Sequence, residues 1–302
     1  MRRSQANSAL RVTLWLLVIA LAACRPAAQP GDYVLASVPD VTQVGPQTYM
    51  DWFKHHAVTD DTRRYVAAHE DALAAVTTTV SELAATIPGA EVMTRSDPSR
   101  SRPALKEPHK VEEKIYRMIL ESQEAWARQP RGEGNPGNLP LDIKPPAARQ
   151  LILNADPRAP HAIRDIAGLR IVLPDRGQLH QMDKLLRQTY QERIIRYKDF
   201  MGSHYRGNGY RAIHMVVLEG ERPVEIQIRT GRQQRWAKWE HSLIYKGPFK
   251  NDPEAIAYAT AVADRLHQQD IDRCPPPCPL PDCPTRLRDA AGCYLDPMPP
   301  TP

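Results

Sequence analysis

An α+β fold, a small mixed β-sheet flanked by helices, is what this sequence predicts, and three observations predict it. Four apolar strand-like runs fall within one stretch, at Leu169–Leu173, Arg193–Lys198, Ile213–Leu218 and Val224–Arg229. Longer segments with helical spacing of apolar residues precede, interrupt and follow them. Composition is globular, 42% hydrophobic and 25% charged over 302 residues. That length suits one domain of about 200 residues plus extensions. The formal net charge of +5 is mild and argues neither for nor against a nucleic-acid partner.

The N-terminal element is a short apolar run, Val12 to Ala23, behind Arg2, Arg3 and Arg11. It is too short for a comfortable membrane span and has the charge order of a secretory signal. Leu21-Ala22-Ala23-Cys24 resembles the lipobox of bacterial lipoproteins, which implies lipidation at Cys24 and membrane anchoring of an exported chain. Arg25, rather than an acidic residue, follows the cysteine and favours the outer membrane in a Gram-negative host. Residues 1–24 are therefore expected to be a signal peptide and 25–58 an N-terminal extension.

Thr59-Asp60-Asp61 opens a helical region by N-cap and dipole chemistry, and Gly89 and Pro98 help to end it. Residues 95–105 read as a polar loop. Lys110 to Arg128 is expected to be helical, with Val111, Ile115, Met118, Ile119 and Trp126 approximating a stripe. Residues 130–146, rich in Pro and Gly, read as a long loop. Helices are expected at Gln178–Tyr190, Arg232–Tyr245 and Pro253–Gln268, and the domain is expected to span 59–272. A tail, 273–302, is dense in proline and holds Cys274, Cys278, Cys283 and Cys293. In an exported chain an even number suggests two disulfides with three pairings, and the alternative is a zinc site. The spacings lack the paired C-x2-C pattern of zinc ribbons.

In Val224-Glu225-Ile226-Gln227-Ile228-Arg229 apolar and polar residues alternate with period two. A strand sends Val224, Ile226 and Ile228 to one face and Glu225, Gln227 and Arg229 to the other. The polar row suits a cleft holding a metal and phosphates; a solvated sheet face is the plainer reading. Further polar clusters fall at strand ends or adjacent loops: Lys106 and Lys114; Asp165 before its strand; Lys198-Asp199-Phe200 leading into Arg206, Tyr210 and His214. Taken singly, the two lysines read as solvated, His214 as structural, Tyr210 as a turn aromatic, and Arg170 as an ion-pair partner for Asp165.

Taken in order, the motifs D-I-A-G-L-R-I-V, K-D-F, N-G-Y-R-A-I-H, V-E-I-Q-I-R-T and W-A-x-x-E-H-x-x-x-Y-K along residues 165–246 resemble the synthetase domain of the RelA/SpoT family. The resemblance implies a nucleotidyltransferase-like synthetase fold. It also implies a Mg²⁺-dependent pyrophosphokinase, moving pyrophosphate from ATP to the 3′-hydroxyl of a purine nucleotide, GDP or GTP first among them. Such transfer asks for positioning, a divalent cation and positive charge around phosphates. Carried over position by position, Asp165 and Glu225 are the catalytic and Mg²⁺-binding carboxylates. Lys106, Lys114 and Arg170 hold the ATP phosphates. Tyr210 stacks on the acceptor base; Lys198, Arg206 and His214 contact its phosphates or sugar; Gln227 and Arg229 line the cleft floor.

Departures from the family pattern bear on the acceptor. Ala104 stands where the family has an arginine, with Arg102 two positions away; Lys110 replaces a common serine; and the Phe200–Gly209 loop is about one residue longer. None of the ten histidines precedes an aspartate, so the family's His-Asp hydrolase domain is not expected in these residues. Export sets the enzyme apart from ATP. Alternatives are therefore a toxin delivered to another cell that modifies adenosine nucleotides or the tRNA 3′ end, and a non-catalytic lipoprotein that binds a nucleotide or a partner.

Overall fold

In a computed structural model of the protein, the described residues are 58–94, 105–127, 145–271 and 279–294. The expected signal peptide with Cys24, most of the N-terminal extension, Arg102, Cys274 and Cys278 lie outside them. No helix among the described residues is long and apolar enough to cross a membrane.

The elements follow in the order α1 (Asp60–Ala67), α2 (Glu70–Ala85), β1 (Glu91–Thr94), α3 (Pro108–Ala127), α4 (Pro145–Leu153), β2 (Ala167–Leu173), α5 (Arg176–Tyr190) and β3 (Ile194–Asp199). Then come β4 (Ile213–Glu219), β5 (Arg222–Thr230), α6 (Gly231–Glu240), a π-helical turn (His241–Tyr245), α7 (Pro253–Asp270) and α8 (Thr285–Ala291). The strands form one sheet in the order β1-β2-β5-β4-β3. Only β2 and β5 pair in parallel; the other neighbours are antiparallel. The expected α+β class with a small mixed sheet is the observed one.

Period two governs the sheet. Leu169, Ile171, Met215, Val217, Val224, Ile226 and Ile228 bury against α2 and α5, among Leu73, Val76, Val80, Leu179 and Leu186. That leaves Arg170, His214, Glu225, Gln227 and Arg229 on the opposite face. Two smaller cores flank this polar face. One joins α1, α3 and α4 to Ile163 and Ile166 beside Asp165. The other gathers Trp236, Ile244, Val262, Leu266, Leu287 and Tyr294, with Tyr210 packed against it.

Local chemistry sets the element ends. The Thr59 side chain accepts from the Thr62 amide, Asp175 caps α5 at 2.8 Å, and Thr230 with Gln233 forms a capping box that turns β5 into α6. Asp252 caps α7, with Pro253 in its first turn.

The differences from expectation have physical causes. The helical region from Thr59 breaks into α1 and α2 at Ala68–His69, where the buried His69, at the start of α2, bonds back to the Tyr65 carbonyl of α1. Strand β1 was not expected, because its Glu-Val-Met-Thr sequence is short and gains order only by pairing with β2. Helix α4 begins at Pro145, inside the expected loop, since proline is welcome in a helix's first turn. The expected Arg232–Tyr245 helix changes to π geometry at His241. The tail folds in part, as α8 with a Cys283–Cys293 disulfide. Among the described cysteines, this selects disulfide over zinc.

Candidate active site

Asp165 ends the loop before β2, and two elements deliver lysines to it. The backbone N–H of Lys106 donates to the Ile166 carbonyl at 2.8 Å, tying the segment ahead of α3 to this loop. The Lys106 ammonium then donates to Asp165 Oδ2 at 2.7 Å, and Lys114, on α3, donates to Oδ1 at 2.6 Å. Burial alone would raise this carboxyl's pKa, but Lys114 and Lys106 outweigh it and hold the group well below the ordinary carboxylate range. Asp165 is therefore ionised at neutral pH.

The parallel register aligns Gly168 with Glu225 and Arg170 with Gln227, so the polar rows of β2 and β5 lie side by side. His214 on β4 pairs with Gln227 across the next ladder. Glu225 Oε2 accepts from Gln227 Nε2 at 3.1 Å, and Oε1 lies 3.1 Å from His214 Nδ1. Against an ionised carboxylate, which only accepts, His214 Nδ1 would be the donor. His214 Nε2 then accepts from the Tyr210 hydroxyl at 2.6 Å, and that oxygen accepts in turn from Arg229. Gln227 Oε1 receives Arg170 at 3.2 Å and Arg229 at 3.1 Å. Every polar side chain of the β5 row is thus fixed by a neighbour, and Glu225 is oriented by two donors.

A cavity of about 210 Å³ opens on this face, lined by Asp165, Glu225, His214, Lys114, Lys198 and Phe200, with Arg164, Arg196, Ala162 and Val216. Four cations face two carboxylates there, a balance that suits a polyanion. Burial, then Arg196 and Arg206, lowers the Lys198 pKa; burial, then Arg196, lowers that of Arg164. An incoming phosphate would relieve both.

The structure thus brings Asp165, Glu225, Lys114, Lys198 and His214 to one cavity, with Lys106 bonded to Asp165. Gln227 and Arg229, at 4% and 5% exposure, are not among the residues lining this cavity. Arg170 donates to Gln227, and the lysines are the ion-pair partners of Asp165. Arg206 places its guanidinium 5.8 Å from the Phe200 ring centre. Tyr210 stands edge-on to Phe200 at 5.6 Å, its ring 4.9 Å from the Arg229 guanidinium. Sequence reasoning missed Arg196 and Phe200 as lining residues. Arg196 was findable, because it stands two residues before Lys198 on one strand and so shares its face.

Residues of three motifs, around Asp165, Lys198 and Glu225, line one cavity together with His214, and comparison with known proteins bears on them. Residues 148–249 match the region found in RelA/SpoT proteins. That span carries Asp165, Arg170, Lys198, Arg206, Tyr210, His214, Glu225, Gln227 and Arg229; Lys106 and Lys114 precede it. GTP pyrophosphokinase YwaC of Bacillus subtilis is 35% identical over 95 residues, 28% of this chain and 43% of the relative. GTP pyrophosphokinase YjbM of the same species is 34% identical over 119 residues, 35% of this chain and 56% of the relative. The chain thus spans about half the length of these relatives. Among solved structures, small alarmone synthetase 2 from Bacillus subtilis is similar at 20% identity and a TM-score of 0.45, covering 70% of this chain and 96% of that one.

Proposed function

We propose that the chain is an ATP-dependent pyrophosphokinase acting on the 3′-hydroxyl of a purine nucleotide, GDP or GTP, and so makes guanosine tetra- or pentaphosphate. The observation that carries the reading is the pair Asp165 and Glu225 on one cavity among four cations. The relatives, named as GTP pyrophosphokinases, support it.

In this reading the acceptor's 3′-oxygen attacks the β-phosphorus of ATP. A bond forms between that oxygen and the β-phosphorus, the bridge between α- and β-phosphates breaks, and AMP leaves. Glu225, oriented by His214 and Gln227, takes the proton released by the 3′-hydroxyl. Lys114, Lys106 and Arg170 meet the donor phosphates; Lys198, Arg206 and the neighbouring Arg196 meet those of the acceptor. The donor set fits Mg²⁺, which takes one or two carboxylates and completes its shell with phosphate oxygens and water. Asp165 and Glu225 would hold it, and it would neutralise charge building on the phosphates.

The Cys283–Cys293 disulfide supports an exported protein, since such bonds persist in oxidising compartments. We therefore keep lipidation at Cys24 as part of the proposal, to be checked by mass spectrometry of the mature N-terminus.

Incubating the mature chain with labelled ATP, Mg²⁺ and GDP, GTP, ADP, ATP or tRNA tests the function. The expected product is a guanosine nucleotide carrying a labelled 3′-pyrophosphate, absent with Glu225→Gln at unchanged melting temperature. Labelling of tRNA or adenosine nucleotides alone would replace the acceptor. Equal activity of Glu225→Gln would remove Glu225 as the base.

A further inference from the structure

The loop between β3 and β4 carries Arg206 and Tyr210, and its shape is set from α7, a helix beyond the 148–249 match. One carboxylate oxygen ties the segment's two ends. Asp264 Oδ1, on α7, accepts from the Tyr205 hydroxyl at 3.1 Å and from Arg211 Nη2 at 2.7 Å. The Arg211 guanidinium lies 4.2 Å over the Tyr205 ring centre, so the two donors also pack on each other. Inside the segment, the Gly209 amide donates to the Tyr205 hydroxyl at 3.3 Å, and Arg211 Nη1 donates to the Gly209 carbonyl at 3.3 Å. The residues from 205 to 211 therefore close into a ring of contacts around one acceptor atom.

Gly209 shows how closely that ring is pressed on α7. Its φ is +82°, and a Cβ there would stand 2.8 Å from Ala263 Cβ and 3.2 Å from Thr260 Cα. The next residue is Tyr210, whose hydroxyl reaches His214 and Arg229. Arg211 is 8% exposed, whereas Asp264 is 51% exposed, so altering Asp264 opens no core, although it takes the carboxylate from the Arg211 guanidinium.

We propose that Asp264 is a positioning residue for the acceptor, cinching the Tyr205–Arg211 segment so that Arg206 and Tyr210 face the cleft. This rests on the pyrophosphokinase reading for the identity of the ligand, but not for the loop itself. Donor-side groups lie on other elements, Lys106 and Lys114 at α3 and Arg170 on β2, so the effect belongs to the acceptor alone.

The test uses the full chain with Asp264→Ala, Asp264→Asn and Tyr205→Phe. Hydrogen exchange without nucleotide should quicken about tenfold at residues 205–211 in Asp264→Ala, with the sheet amides unchanged. The KM for GDP should rise about tenfold and that for ATP stay within about twofold, at similar kcat. Asp264→Asn, which keeps one acceptor oxygen, should recover part of the loss. Unchanged exchange in the segment would overturn the proposal. So would a parallel loss of GDP and ATP with a lower melting temperature, the mark of a merely structural residue. A wild-type chain that transfers to no acceptor would instead sink the pyrophosphokinase reading, and exchange would still decide whether Asp264 holds the loop.

Discussion

The Tyr210 hydroxyl lies 2.6 Å from Nε2 of His214, whose Nδ1 meets Glu225, so one imidazole joins this tyrosine to the proposed base. This gives the hydroxyl a task that a stacking ring alone would not have. Tyr210→Phe leaves Arg229 and His214 without that oxygen in a largely buried network. The expected loss is about 1–3 kcal/mol, or roughly 5- to 150-fold in kcat/KM. Steady-state kinetics with GDP check it. A phenylalanine variant indistinguishable from wild type would restrict Tyr210 to its ring face.

Asp165 accepts from Lys106 and Lys114 together, so these residues act as a unit rather than as separate contributors. Removing Lys114 frees Asp165 from one partner, and removing Asp165 leaves two ammonium groups facing each other. The expected pattern in kcat/KM for ATP is non-additive: the double variant Lys114→Ala/Asp165→Ala falls little further than Asp165→Ala alone. Additive losses would mean that the two residues serve different steps.

The polar row Glu225, Gln227 and Arg229 was legible because Val224, Ile226 and Ile228 meet a core on one face, which holds strict period two even though Gln227 and Arg229 are buried as well. The cavity lining was legible at Lys198 and His214, which fall near the ends of strands. The partners were not. No local pattern marks Asp264, because its contacts with Tyr205 and Arg211 lie 59 and 53 residues away in sequence. Strand β1 and helix α4 were hidden for the same reason: their order comes from β2 and α3, not from their own propensity. Arg170 donates to Gln227, its partner on the neighbouring strand, a contact 57 residues away in sequence that no local pattern marks.

His69 supplies a pH dependence of stability apart from the cleft. It is fully buried between α1 and α2; Nδ1 bonds the Tyr65 carbonyl, and Nε2 has no hydrogen-bond partner among the described residues. Burial lowers its pKa to about 4, assisted by the charge of Arg222 and opposed by the Tyr65 carbonyl. The unfolded chain takes up this proton near pH 6.5, while the folded chain resists until about pH 4. Stability therefore falls as pH drops through that window, by roughly 3 kcal/mol in all from this group. Urea melts between pH 7.5 and 4.5 should show a shallower slope for His69→Asn, which keeps a donor but cannot titrate. Equal slopes would assign the acid sensitivity elsewhere.

The last prediction concerns the helix that brings Lys114 to Asp165. Two residues before Lys114, Glu112 is buried with Arg149 of α4, each side chain 3% exposed. Arg149 donates to Glu112 from Nε at 2.8 Å and from Nη2 at 3.1 Å, and also reaches Thr59 and Thr62. One bidentate pair thus pins α1, α3 and α4 together. A buried pair stabilises little relative to apolar residues of the same shape, but losing one partner leaves a buried charge unpaired. Glu112→Ala should therefore cost about 3–5 kcal/mol, whereas Glu112→Leu/Arg149→Met should recover most of it. Because α3 would then lose its polar tie to α4 and α1, the double variant should regain stability before it regains activity. Denaturant midpoints and kcat/KM for ATP measured on the same preparations separate the two. A double variant as unstable as Glu112→Ala would show that the pair fixes the fold itself rather than the seating of α3.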